Sequence, residues 1–129
     1  MRHGLTLLTI GTSALLVGGH LLVAPEIAVQ ISALVLCVIA GAYIGFAVAD
    51  GRPRVIATEG LVAAAFGGAG LIALNGMPLF IPLALFLHGL WDLAHHQGHI
   101  GAHVPRWYIP FCVIVDWSLA IALTALFLR

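Results

Sequence analysis

The chain has 129 residues, of which 62% are hydrophobic and 8% charged, and its mean hydropathy is +1.13. Soluble domains carry about 25% charged residues, so this composition excludes an ordinary soluble domain and points to an integral membrane protein. Five arginines offset five acids, lysine is absent and the formal net charge is zero, which leaves no basic face for a nucleic acid.

A helical span needs about 20 mostly apolar residues, and Pro, Gly and charge divide the chain into five of them. The first is Leu5–Ala24. Arg2 ahead of an apolar run and the small Ala24 outline a secretory signal, but His20 interrupts the run and Pro25 would be the first mature residue, so it is read as a retained span. After Pro25-Glu26 comes Ile27–Ala49, holding Cys37, Tyr43 and a Gly41/Gly45 GxxxG pair. Asp50-Gly51-Arg52-Pro53-Arg54 leads to Val55–Leu74, which carries Glu59 and is rich in small residues from Ala63 to Gly70. Such residues let helices approach closely, within the chain or between two copies. Asn75-Gly76-Met77-Pro78 precedes Leu79–His96, and a stretch from Gln97 to Trp107 precedes Tyr108–Leu128. The expected fold is an all-α integral membrane protein: one domain over residues 1–129, a compact bundle of five transmembrane helices with a cytoplasmic N-terminus. Cys37 and Cys112 lie in apolar runs, where a thiol is usually a small buried hydrophobe. A body this small favours a homodimer.

Arginine placement sets the orientation, because cytoplasmic loops collect positive charge. With the N-terminus inside, Arg2, Arg52, Arg54 and Arg106 share the cytoplasmic side and only Arg129 lies outside. Trp107 and Tyr108 then form an aromatic belt at that boundary. The expected location is a bacterial inner (plasma) membrane, with the polar site towards the cytoplasmic face.

The run from His88 to His103 holds five of the seven histidines. At about 100° per residue, His88, Asp92, His95, His96, His99 and His103 fall within roughly 100° of arc on one continuous helix. At 1.5 Å per residue, Glu59 lies about 6 Å in from the cytoplasmic side, Asp92 about 6 Å, and His88 and Asp116 about 12 Å. Asp50 closes the second span on the same side. Each carboxylate in a span costs a few kcal/mol on insertion scales, so convergence in one half of the bilayer argues for one shared polar site.

Imidazole and carboxylate together suit a divalent cation such as zinc or iron. The expected ligands are His88, Asp92, His95, His96 and His99, with Glu59 and Asp116 as catalytic carboxylates. His95 and His96 are adjacent and do not both reach one ion from a regular helix, so one belongs to an outer shell or there are two ions. Plainer readings stand beside this. His99 and His103 sit among Gly98, Gly101 and Pro105 as solvated loop residues, His88 and Asp92 form a structural i, i+4 pair, and Glu59 snorkels to the interface.

Asp92-Leu-Ala-His95-His96 is similar to the HxxHH box of membrane di-iron desaturases and hydroxylases, and His88-xxx-Asp92 to their HxxxH box with aspartate for the second histidine. That resemblance implies oxygen chemistry on two irons. In those enzymes the histidines come from several segments, whereas here they come from one. The mixture of histidines with an aspartate also resembles membrane zinc hydrolases of the ceramidase kind, which have more spans. The function expected from the residues is a membrane-embedded metal-dependent enzyme, hydrolase or oxygenase, acting on a lipid or other apolar substrate. The alternative is a metal-ion or proton transporter using the same His and carboxylate line, for which His20, Glu26 and Asn75 offer only a thin outer path.

Overall fold

The computed structural model describes residues 2–96 and 101–129, and its elements are five α-helices: α1 Arg2–Leu21, α2 Pro25–Asp50, α3 Pro53–Leu74, α4 Phe80–His95 and α5 Tyr108–Phe127. No strand occurs among the described residues. Helices α1, α2, α3 and α5 are long and apolar enough to cross a membrane, while α4 is shorter, with 16 residues.

Local chemistry explains where the helices begin and end. Pro25 and Pro53 each open a helix, a position where the fixed φ is helical and the missing N–H would have had no partner. Ala24 precedes Pro25 and is extended, with φ −61° and ψ 147°, as the proline ring demands of its predecessor. Helix α1 itself stops at Leu21, short of the expected Ala24. Gly51 ends α2 in the left-handed region, φ 78°, with its N–H donating to the Ala47 carbonyl at 3.0 Å. The fourth span is trimmed because Leu79 belongs to the turn around Gly76, where Phe80 N–H bonds the Met77 carbonyl at 3.1 Å.

Helix α2 packs along α3, α4 along α5, and α1 against α5. Two glycines let neighbours close in: a Cβ at Gly70 would sit 3.6 Å from the Ala33 Cβ, and one at Gly89 would collide with the Trp117 indole. A Cβ at Gly41 or Gly45 would meet nothing within 4 Å among the described residues, so no close approach inside the bundle requires glycine at either position.

The interior is divided. Towards the α3–α4 turn it is an apolar core of Leu36, Ile81, Leu85, Leu119 and Leu123. Towards the end bearing Arg52, Arg54 and Arg106 it is polar, with Tyr43, Glu59, His88, Asp92, His95 and Asp116 all buried. The outside is the reverse: Leu22 is 87% exposed, Leu15 75%, and Leu61 and Ile121 73% each. Charged groups inside and large aliphatic ones outside invert the distribution of a water-soluble fold.

Candidate metal centre and its neighbours

Helix α4 presents His88, Asp92 and His95 at i, i+4 and i+7, a spacing that keeps them on one face. They feed two different centres, about two turns apart.

The deeper centre joins three helices. His88 Nδ1 is 2.8 Å from Asp116 Oδ2 on α5 and 3.7 Å from Asp92 Oδ1. The Tyr43 hydroxyl on α2 donates to Asp92 Oδ1. His88, Asp92 and Asp116 are wholly buried, and one potential ligand atom from each lies within 4.8 Å of the others. Two atoms that each bind one ion at about 2.1 Å stand about 3.0–3.4 Å apart, and the two observed separations bracket that span. His88 Nε2, Asp92 Oδ2 and Asp116 Oδ1 are buried without a hydrogen-bond partner among the described residues. An unpaired buried polar group costs about 1–3 kcal/mol. These are not the atoms that meet at His88 Nδ1; each residue of the group keeps one further polar atom that calls for a partner. The set can hold a metal ion: a neutral imidazole and two carboxylates would balance a divalent charge. The surroundings are otherwise aromatic, with the Phe66 and Tyr43 rings edge-on to His88 at 5.0 and 5.4 Å.

The shallower centre is saturated. Glu59 Oε1 on α3 is 2.8 Å from His95 Nε2 and accepts the Ala102 backbone N–H at 3.1 Å, while Oε2 accepts Trp91 Nε1–H at 3.1 Å. His95 Nδ1 lies 2.8 Å from the Trp91 carbonyl. Both ring nitrogens of His95 are thus engaged. Gly101 completes the closure: it sits at φ 70°, and a Cβ there would strike His95 Nε2 and Glu59 Oε1. These bonds tie the chain entering α5 onto α3 and α4. Beside them Asp50 takes Arg52 Nε–H at 2.5 Å and Nη2–H at 2.8 Å, and Arg52 Nη2 also donates to the Gly101 carbonyl at 3.0 Å. The hydrogen bonds it donates to Asp50 hold the Arg52 guanidinium above its ordinary pKa. His103 leans on Asp50 from outside, N–H at 3.2 Å and Nδ1 at 3.3 Å.

The residues singled out in the sequence are therefore distributed. His88, Asp92 and Asp116 come together; Glu59 and His95 pair with each other; His96 ends α4 on the surface; His99 lies outside the described residues. Tyr43 and Trp91, which the sequence places near the site as packing or belt aromatics, prove to be hydrogen-bond donors to its carboxylates. Their signal was a polar tip on an aromatic ring inside an apolar span, which requires a partner when buried. The Tyr43 ring stands between the two centres, 5.4 Å from His88 and 4.9 Å from His95. His20, buried at the opposite end of α1, bonds only the Leu16 carbonyl, at 2.6 Å.

An apolar groove of about 400 Å³ lies between α1, α2 and α5, with the wholly buried Asp116 behind its wall. Leu16, Leu34, Val38, Phe111 and Val115 line it.

The chain matches no family model, no curated protein and no solved structure.

Proposed function

We propose that the chain is a membrane-embedded, metal-dependent enzyme whose centre is His88, Asp92 and Asp116 and whose substrate is a lipid or another apolar molecule. The observation that carries the metal reading is the group of three wholly buried residues that each bring a potential ligand atom within 4.8 Å of the others, each residue also keeping one unpartnered polar atom. Two buried carboxylates beside one imidazole are costly unless a cation compensates them, and the ligand set suits zinc or iron. The inverted polarity of the surface supports placement in a bilayer, with the arginine-bearing end in the cytoplasm by the charge rule for loops. The apolar groove beside Asp116 supports an apolar substrate arriving from the lipid side.

In this reading Asp116 and Asp92 are ligands and Tyr43 fixes Asp92, the kind of outer hydrogen bond that orients metal-binding carboxylates. Glu59, with three bonds already made, holds the α4–α5 connection instead of taking a substrate proton. Zinc would supply water activation near neutral pH; iron would supply oxygen chemistry.

The test is metal analysis of detergent-purified protein. About one zinc or iron per chain is expected in the natural protein and in His96→Ala, with at least a tenfold loss in His88→Ala and Asp116→Asn. Equal metal in all four, or none in the natural protein, overturns the proposal. A second reading, a metal or proton transporter, draws on the succession of polar groups from Asp50 inwards. It requires a path through the far half of the bundle, and there Leu36, Ile81, Leu85, Leu119 and Leu123 form a packed apolar core.

A further inference from the structure

A second pocket, unconnected with the metal reading, opens at the arginine-bearing end. It encloses about 360 Å³, and His96, His103 and Arg106 line it together with His95, already committed to Glu59. No carboxylate lines it. Asp50, which His103 touches from the other side, is held by Arg52. Arg106 and His96 have no hydrogen-bond or ion-pair partner among the described residues. The pocket thus offers the Arg106 guanidinium fork and the His96 imidazole with no carboxylate to receive them, while His103 shares its donors with Asp50. A guanidinium fork matches the oxygens of a phosphate.

What lies next to the pocket narrows the occupant. His96 and Ile109 also line an adjoining apolar groove of about 260 Å³ between α4 and α5, with Leu93, Pro110, Val113 and Ile114 as its walls. Leu93 and Ile114 are 44% and 51% exposed. A cationic pocket that runs into an aliphatic groove is the shape of an amphiphile with an anionic head and a hydrocarbon tail. The level agrees. Trp107, 51% exposed, and Tyr108 follow Arg106 at once, and such aromatics sit at the depth of lipid headgroups. Anionic lipids of a cytoplasmic leaflet draw basic residues to that level.

We infer that His96, His103 and Arg106 form a binding site for the phosphate of an anionic phospholipid, one of whose acyl chains lies in the α4–α5 groove. The inference rests on the membrane placement proposed above and not on the metal. The lipid is a bound partner of the bundle, held apart from the groove beside Asp116.

The experiment counts lipids retained by the detergent-purified protein in native mass spectrometry after exposure to phosphatidylglycerol, phosphatidylcholine or inorganic phosphate. Phosphatidylglycerol should be retained over phosphatidylcholine. Its occupancy should fall about tenfold in the double variant Arg106→Gln, His96→Gln, which removes the charge-assisted bonds. Ile114→Trp, which fills the groove and leaves Arg106 and His96 in place, should lower it as well. Equal retention of the two lipids, or undiminished binding in the double variant, overturns the inference. So does inorganic phosphate alone displacing the lipid, which would assign the pocket to a free anion. Metal content and membrane fractionation measured on the same preparations separate these outcomes from failure of the enzyme reading or of the membrane placement. The variant positions at 96, 106 and 114 are on the surface, and their melting temperatures serve as the folding control.

Discussion

The two histidine centres on α4 are built from the same parts and finished differently. Each pairs an imidazole with a carboxylate from another helix at 2.8 Å. Around His95 every polar atom has a partner, one of them the Ala102 backbone. Around His88 three atoms have none. A buried ion pair with all its bonds made is a fastener, and one with bonds left over is a receptor. The residue types alone do not distinguish the two. The count of unspent donors and acceptors does.

Removing the carboxylate from the finished centre is the largest expected effect. Glu59→Leu strips acceptors from His95, Trp91 and the Ala102 N–H at once, and breaking a buried pair in this way costs about 3–5 kcal/mol. Thermal unfolding of the purified protein should register that loss, while metal per folded chain stays as in the natural protein. Metal loss with stability unchanged would exchange the roles assigned to the two centres.

Tyr43→Phe probes the other side of the comparison. It removes the hydroxyl that donates to Asp92, and loss of such an outer bond weakens metal affinity by about 10–100-fold. Competition with a chelator of known strength measures it, and the melting temperature should move little. An unchanged affinity would mean that Asp92 is not a ligand.

The smallest expected effect on metal content is at Gly101→Ala. A left-handed backbone costs an L-residue about 1–2 kcal/mol, and the new methyl would press on the His95–Glu59 pair. Faster limited proteolysis between α4 and α5, with metal content intact, is the predicted outcome. Resistance equal to that of the natural protein would show that this bond set does not hold the connection down.

Much of this arrangement can be read along the chain, and the unread part has a definite cause. Apolar runs and their Pro and Gly breaks mark five helices, and arithmetic along each helix places Glu59, Asp92, His88 and Asp116 at related depths. Depth says nothing about rotation. Whether Asp116 faces His88 or His95, and whether Glu59 faces Asp92 or the α4–α5 connection, depends on the angle of each helix about its own axis. Long apolar spans without an amphipathic stripe do not declare that angle. Tyr43 illustrates the point: from sequence it is an aromatic in an apolar run, and only the packing of α2 against α4 shows its hydroxyl meeting Asp92. The Ala102 amide was equally hidden, because a backbone donor has no sequence signature.

The brevity of α4 has an effect of its own. Sixteen residues rise about 24 Å, some 6 Å less than a hydrocarbon layer of about 30 Å. Such a mismatch is relieved by thinning of the lipid around the short rod. In the bilayer placement proposed above, water would descend along α4, and a hydrated cation arriving from the arginine-bearing side would have roughly four residues' worth less of oil to cross before meeting Asp92.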